Sequence, residues 1–292
     1  MDTGSVPNRF LRFACFSTIT LKHHSHECDL DASPELSDYG RMQIEEVVET
    51  LKQIETQEGV KIDRIISSPL IRCVQTSDLV AEGLNVETIS IEHGLMEEAK
   101  SFRGHPPNEP APVWDPLVLP REQLKSYSSR VKDETYNSMT INHELDFSCT
   151  KNGVREVHQL DPAIRDPIQV TSCRCLKLIE HLERNLDQDP TVNNVLLVSH
   201  YAIVKGIAAQ LHEGGLGGHM KVGSFGGFRR VDPSPAAALG VEAEAKHGAS
   251  GDEDSKGNVM VSSSTSQERL RNRWAPVTPQ WITTKRVPPR PR

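Results

Sequence analysis

Histidines and an arginine that follow strand-like segments are the residues of this chain whose types and spacing could do chemistry. KHHSHE, 22–27, holds three histidines in four positions. SSPLIR, 67–72, places Arg72 one turn into a predicted helix behind a Ser-Ser-Pro turn, so that backbone N–H groups and a guanidinium would face one anion. His200 closes the apolar run NNVLLVSH, 193–200. These segments together predict an anion-binding site.

The histidine-rich segment also raises a metal-site interpretation. His23, His24, His26 and Cys28 are all potential zinc ligands. Four ligands within six residues of one loop are hard to arrange tetrahedrally, because zinc sites commonly take paired ligands from separate segments. This geometry argues against a zinc site in the loop, and no cofactor is predicted.

The elements that would position these residues alternate between strand and helix. Predicted strands cover 13–21, 61–69, 86–94, 193–200 and 223–232, and predicted helices cover 36–54, 70–84, 167–186 and a segment that begins at residue 201. This order predicts an α/β fold in three layers, with a mainly parallel sheet and helices on both faces. Ligands bind such sheets beyond the carboxyl ends of the strands, so the three polar segments should meet in one crevice.

The domain organisation follows from where this periodicity stops. One domain is predicted over 13–232, with an irregular and proline-rich insertion at about 101–165. Residues 233–292 are predicted to be a low-complexity, largely disordered C-terminal tail.

Composition excludes several classes of protein. A formal net charge of −7, from 33 basic and 40 acidic side chains, gives no broad reason to expect nucleic-acid binding. No apolar run of about 18 residues is present, so no membrane span is predicted. Six cysteines without a CxxC pair, and no clean secretory signal, favour reduced thiols and a cytoplasmic protein, with an organellar transit segment as the alternative. The oligomeric state stays open.

Three motifs carry a resemblance to a known family. IDRIISSPLIRCVQTSDLV, 62–80, is followed far downstream by VLLVSHYAIV, 195–204, and LSDYG, 36–40, precedes the first amphipathic helix. In this order they resemble the histidine phosphatase superfamily, the phosphoglycerate mutase-like enzymes. VKIDRIISSPLIRCVQTSDLVAEGL, 60–84, and IEHGLMEE, 91–98, are most similar to the phosphatase domain of the suppressor of T-cell signalling type, although no ubiquitin-binding or SH3 module is evident.

The resemblance implies a phosphoglycerate mutase-like fold and hydrolysis of a phosphomonoester through a phosphohistidine, without a metal. On matching positions, Arg72 binds phosphate, His200 is the second histidine, which also contacts phosphate, and Glu97 is the proton donor. Glu98 is the neighbouring alternative to Glu97. The implied partner is a phosphorylated substrate, either a small molecule or a phosphoprotein.

The nucleophile segment departs from the Arg-His-Gly pattern of the family. In one register Lys22-His23-His24 replaces it, so that Lys22 binds phosphate and His23 is the nucleophile. In the other register His23-His24-Ser25 replaces it, and His24 is the nucleophile. The first register is favoured because it keeps a positive charge, although lysine is a point donor where arginine is bidentate. The altered motif leaves a second functional hypothesis, a catalytically inactive module that binds phosphate or protein.

Overall fold

The computed structural model describes the chain in several ranges: 10–15, 35–97, 121–132, 167–189, 191–213, 215–217, 220, 224–231, 263–277 and 282–283. The strands are β1 (Phe10–Cys15), β2 (Arg64–Ser67), β3 (Ile89–Ile91), β4 (Asn194–Ser199), β5 (Ser224–Arg230), β6 (Trp274–Pro276) and β7 (Ile282–Thr283). The helices are α1 (Asp38–Glu58), α2 (Ile71–Leu84), α3 (Arg121–Leu124), α4 (Pro167–Gln188), α5 (Tyr201–Leu211) and α6 (Ser263–Arg273), with a 3₁₀ turn at His93–Leu95.

The strands form one seven-stranded sheet in the order β3-β2-β4-β1-β5-β6, with β7 beside β5. β1, β2, β3 and β4 run parallel to one another, whereas β5 is antiparallel to β1, and β6 and β7 are antiparallel to β5. The register pairs Ser67 of β2 with both Val198 of β4 and Ile91 of β3. The residues that follow these three strands therefore emerge at one edge of the sheet.

Helices cover both faces of this sheet. Val195 and Leu197 of β4 lie in a core cluster with residues of α4, α5 and α6. Leu196 and Val198, on the opposite face, lie in a second cluster with residues of α1 and α2. A strand buried on both faces reads as a continuous apolar run, which is why β4 was the clearest strand in the sequence. The predicted three-layer α/β fold with a mainly parallel sheet is confirmed.

The first two helices form for reasons that are visible in the sequence. Ser37 caps α1 by accepting a hydrogen bond from the Gly40 N–H at 3.1 Å, and Gly59 ends the helix with a left-handed φ of 64°. α2 is capped at its C-terminus by Asn85, which takes the left-handed conformation with a φ of 57°. Gly83 lets α2 approach α1, because a Cβ there would collide with Val48.

The first strand differs from its predicted position at 13–21. β1 covers Phe10–Cys15 and pairs with all six residues of β4 on one side and with β5 on the other. The length of β4 thus sets the length of the pairing. KHHSHE, 22–27, lies outside the described residues.

Part of the predicted C-terminal tail lies on this sheet. Residues 263–277 form α6 and β6, and β6 pairs with β5. Leu270 and Trp274 are buried in the core cluster beneath α4 and α5. Residues 232–262 lie outside the described ranges, so the domain boundary at about 233 stays a prediction.

Within the ranges that the structure describes, no helix combines the length and the apolar character that crossing a membrane requires.

Candidate active site

His200 lies at the carboxyl edge of the sheet, at the junction between β4 and α5. It takes the N-cap position of α5 in an extended conformation, and its side chain is fully buried. The residue before it, Ser199, donates a hydrogen bond to the Leu95 carbonyl at 2.6 Å. That bond joins the end of β4 to the 3₁₀ turn after β3, so the segments after these two strands are held together.

Two side chains from the segment after β2 bind the imidazole of His200. Arg72 Nη2 lies 3.0 Å from His200 Nδ1, and Ser68 Oγ lies 2.9 Å from His200 Nε2. A guanidinium can only donate, so Nδ1 is the acceptor and the imidazole proton is on Nε2, which donates to Ser68. This contact assigns the tautomer of His200.

The environment of His200 also keeps the imidazole neutral. Burial lowers the pKa of His200 well below its usual value, and the positive charges of Arg72 and Arg174 lower it further. Glu97 Oε2 lies 3.5 Å from His200 Nδ1. Because the ring is uncharged near pH 7, this approach is a polar contact between a carboxyl group and a neutral histidine, and not a salt bridge.

Glu97 completes a group of three residues that sequence analysis assigned to the site. Its Oε2 lies 3.8 Å from Arg72 Nη2, and both side chains are almost fully buried. The structure therefore brings together Arg72 after β2, Glu97 after β3 and His200 after β4. Their individual chemical roles stay predictions.

The helices at this edge add to its attraction for anions. Arg72 lies in the first turn of α2, and His200 is the N-cap of α5 but makes no side-chain cap hydrogen bond. The positive ends of two helix dipoles therefore lie beside the guanidinium.

Cys73 is a neighbour of His200 that sequence analysis did not single out. Its Sγ lies 3.5 Å from His200 Nε2, a distance that could suggest a cysteine nucleophile with a histidine base. Burial raises the pKa of the Cys73 thiol to about 12, in spite of the nearby charge of Arg72. A thiol in this state supplies little thiolate at neutral pH, so Cys73 is a weaker candidate for the nucleophile than a histidine.

Gln75 links the site to the segment that follows the undescribed residues 16–34. Its Oε1 accepts the Leu36 N–H at 2.7 Å, and its Nε2 donates to Glu35 Oε2 at 3.3 Å. Gln75 of the SSPLIRCVQT motif thus has a structural role.

The predicted nucleophile residues are outside the described part of the chain. Lys22, His23 and His24 fall within residues 16–34, which the structure does not describe. Glu98 directly follows Glu97, which is the last described residue after β3. Their positions relative to His200 stay predictions. The metal-site interpretation of His26 and Cys28 is likewise untested, because both residues lie outside the described ranges.

Comparison with known proteins gives a family match over part of the chain. The family model described as the histidine phosphatase superfamily (branch 1) matches residues 23–115. The matched segment begins at His23 and includes SSPLIRCVQT and Glu97. No curated protein matches the chain significantly.

Solved structures of phosphatases and a mutase are similar to the chain at low identity. An ecdysone phosphate phosphatase from Bombix mori is 14% identical with a TM-score of 0.48, over 85% of this chain and 96% of that one. A mycobacterial glucosyl-3-phosphoglycerate phosphatase is 16% identical with a TM-score of 0.41, over 76% and 91%. A phosphoglycerate mutase from Bacillus anthracis is 13% identical with a TM-score of 0.42, over 76% and 88%. At such values the likeness does not indicate a substrate.

The family model thus matches a segment that includes Arg72 and Glu97 but not His200, which lies outside residues 23–115.

Proposed function

We propose that this protein is a metal-independent phosphatase that hydrolyses a phosphomonoester through a phosphohistidine intermediate. The observation that carries this proposal is the meeting of Arg72, Glu97 and His200 at the carboxyl edge of the parallel strands. A buried guanidinium, a neutral histidine and a carboxyl group within 4 Å of one another match the needs of phosphoryl transfer.

The first step forms a bond between a histidine nitrogen and phosphorus and breaks the bond to the leaving oxygen. The nucleophile is His23, or His24 in the second register. Arg72 and His200 stabilise negative charge on the equatorial oxygens, and Glu97 gives its proton to the leaving oxygen.

The second step returns the site to its starting state. Glu97, now a carboxylate, takes a proton from a water molecule that attacks the phosphohistidine. The nitrogen–phosphorus bond breaks, inorganic phosphate leaves, and both the nucleophile and Glu97 are restored.

The substrate is a phosphorylated small molecule or a phosphoprotein, in a cytoplasmic setting. Similarity of residues 60–84 and 91–98 to the suppressor of T-cell signalling type supports a phosphatase domain of that kind. The insertion at about 101–165 follows the segment that carries Glu97, and loops at such positions commonly select the substrate.

A catalytically inactive, phosphate-binding module is the second candidate. It is favoured by Lys22 where the family has arginine, and by His24 where the family has glycine. Acid-labile labelling with a phosphate donor separates the two candidates. A phosphohistidine at residue 23 or 24 supports catalysis, whereas intact phosphate binding without any label supports the inactive module.

Hydrolysis of p-nitrophenyl phosphate tests the proposed site. We expect His200→Gln and Arg72→Gln each to reduce kcat/KM by at least about 10²-fold, the usual loss when a donor to a developing oxyanion is removed. His212→Gln, at the far end of α5, is the matched control and should keep wild-type activity. Hydrolysis that is insensitive to both site changes would refute the proposal.

A further inference from the structure

A second arginine, Arg174, is buried close to this site. It lies on α4, its side chain is 3% exposed, and its Nε makes no hydrogen bond. Arginine is almost never fully buried without a partner, because an unpaired charge away from water is costly. No ion pair joins Arg174 to any residue in the described ranges.

Two neighbours on α4 define where Arg174 lies. The adjacent Cys175 donates its thiol to the Ile203 carbonyl, in the first turn of α5, at 3.6 Å. Leu178, one turn further along, packs beside Gly94, where an added Cβ would lie 3.1 Å from Leu178 Cδ1. Residues four apart share a helix face, so Arg174 lies beside the gap between the 3₁₀ turn and the start of α5. His200 directly precedes α5, and Glu97 lies two residues after the 3₁₀ turn.

The electrostatics of His200 agree with this placement. The charge of Arg174 acts on the imidazole in the same direction as the charge of Arg72, which is in direct contact with it. The described groups of the site thus comprise two guanidinium cations, one carboxyl group and a neutral histidine. Even with that carboxyl group ionised, these groups carry a net positive charge. A net positive charge favours the binding of a doubly charged phosphate.

We propose that Arg174 is a second phosphate-binding arginine of this site, supplied by α4 and not by the strand-end segments, and that it favours dianionic phosphomonoesters over monoanionic phosphodiesters. The inference rests on the proposed function. It also assigns a source for the guanidinium that the first motif lacks, because lysine at position 22 cannot bind phosphate in the bidentate manner of arginine.

Binding of inorganic phosphate to the full chain, measured by isothermal titration calorimetry, tests the assignment directly. We expect Arg174→Gln to raise the Kd for phosphate about tenfold or more, as expected for the loss of a charge-assisted hydrogen bond. Arg174→Lys, which keeps the charge but not the fork of donors, should give an intermediate Kd. Arg184→Gln, at an exposed position of the same helix, is the matched control and should leave the Kd unchanged.

Two further measurements separate phosphate binding from a structural role. In Arg174→Gln, the preference for p-nitrophenyl phosphate over bis(p-nitrophenyl) phosphate should fall, because a dianion loses more than a monoanion. The pKa of His200, followed by NMR of its ring nitrogens, should rise when the neighbouring positive charge is removed. Arg184→Gln should change neither quantity.

The outcomes are distinguishable from those of the proposed function. A Kd for phosphate that stays at the wild-type value in Arg174→Gln would overturn the inference, whether or not the Tm falls. If Arg174→Gln does not fold, a wild-type Kd in Arg174→Lys has the same meaning. Phosphate binding that depends on Arg174 without any hydrolysis would support the inference and reject catalysis, and no phosphate binding by the wild-type chain would reject both.

Discussion

Two buried polar clusters lie along α4, and they differ in whether their hydrogen bonds are complete. Near the end of the helix, Glu183 accepts a hydrogen bond from Trp274 Nε1 at 3.1 Å with one oxygen and pairs with Arg273 Nη1 at 3.1 Å through the other. Near its start, Arg174 has an unpartnered Nε, and Arg72 of α2 has one too. We call the first group the Glu183 cluster and the second the His200 cluster.

The difference separates a structural cluster from a ligand site. The Glu183 cluster fastens β6 and the end of α6 to α4, and each carboxylate oxygen has a donor. The His200 cluster contains N–H donors that make no hydrogen bond within the described residues. They lie at the carboxyl edge of the sheet, where a bound anion can accept hydrogen bonds from them. Burial of charged side chains is common to both clusters, so burial alone does not distinguish a ligand site from a structural cluster.

Breaking the Glu183 cluster should cost stability and leave activity intact. Trp274→Phe removes the indole donor and leaves Glu183 Oε1 buried without its partner, which destabilises by about 1–3 kcal/mol. Each kcal/mol lowers the Tm by about 2–4 °C in a domain of this size. Thermal unfolding should show this loss, while kcat/KM for p-nitrophenyl phosphate should match the wild type.

Arg269→Gln is the control for that comparison. It removes an ion pair to Glu180 that joins the same two helices, but the arginine is 55% exposed. Exposed pairs contribute about 0–1 kcal/mol, so the Tm should barely change. A loss of activity in Trp274→Phe as large as that in Arg72→Gln would contradict the separation of the two clusters.

Glu92 allows a test in which the expected change in stability is smaller and depends on pH. It is a buried carboxyl group near the site, and no cation pairs with it among the described residues. Its Oε1 accepts the Gly94 N–H at 2.7 Å, its Oε2 has no partner, and burial raises the pKa of Glu92 from 4.5 to about 8. Between those values the folded state binds more protons than the unfolded state, so stability falls as the pH rises. Glu92→Gln keeps the acceptor and removes the titration.

The Tm of Glu92→Gln should therefore exceed that of the wild type by at least about 3 °C at pH 8, and the difference should shrink toward pH 5. Glu87→Gln, at an exposed position before β3, should show no such pH-dependent difference. A difference for Glu92→Gln that grew toward acidic pH would reverse the assigned direction of the pKa shift.

Cys73→Ala should have the smallest effect. The thiol lies beside His200, but its raised pKa leaves it protonated, so hydrolysis should stay at the wild-type order of magnitude. The measurement is kcat with p-nitrophenyl phosphate, with His200→Gln as the inactive comparison. Loss of activity comparable to that of His200→Gln would make Cys73 a nucleophile and overturn the histidine mechanism.

Helix and strand positions were predictable where one face or both faces of an element are buried throughout. The spacing of Ile44, Val47 and Leu51 placed α1, and the apolar run before His200 placed β4. The limits of β1 were not predictable in this way, because its length follows from pairing with β4 and β5. Residues 263–273 lack a clear apolar stripe, and Leu270 is buried through contacts with distant elements.

The candidate site divides in the same manner. Arg72, Glu97 and His200 each follow a predicted strand, so the rule that ligands bind at carboxyl ends was enough to bring them together. Arg174 stands within the helical pattern of α4, where a polar residue gives no sign that its side chain is buried. Cys73 was missed because a single cysteine inside the SSPLIRCVQT motif has no spacing that marks it as reactive.

By itself the sequence determined the α/β alternation, the parallel sheet and the strand-end residues, because these depend on periodicity and on local turns. Only the tertiary structure determines which nitrogen of His200 carries the proton, keeps the Cys73 thiol protonated, and brings Arg174 of α4 near His200. Those properties depend on burial and on charges far apart in the chain, and such contacts leave no local pattern in the sequence.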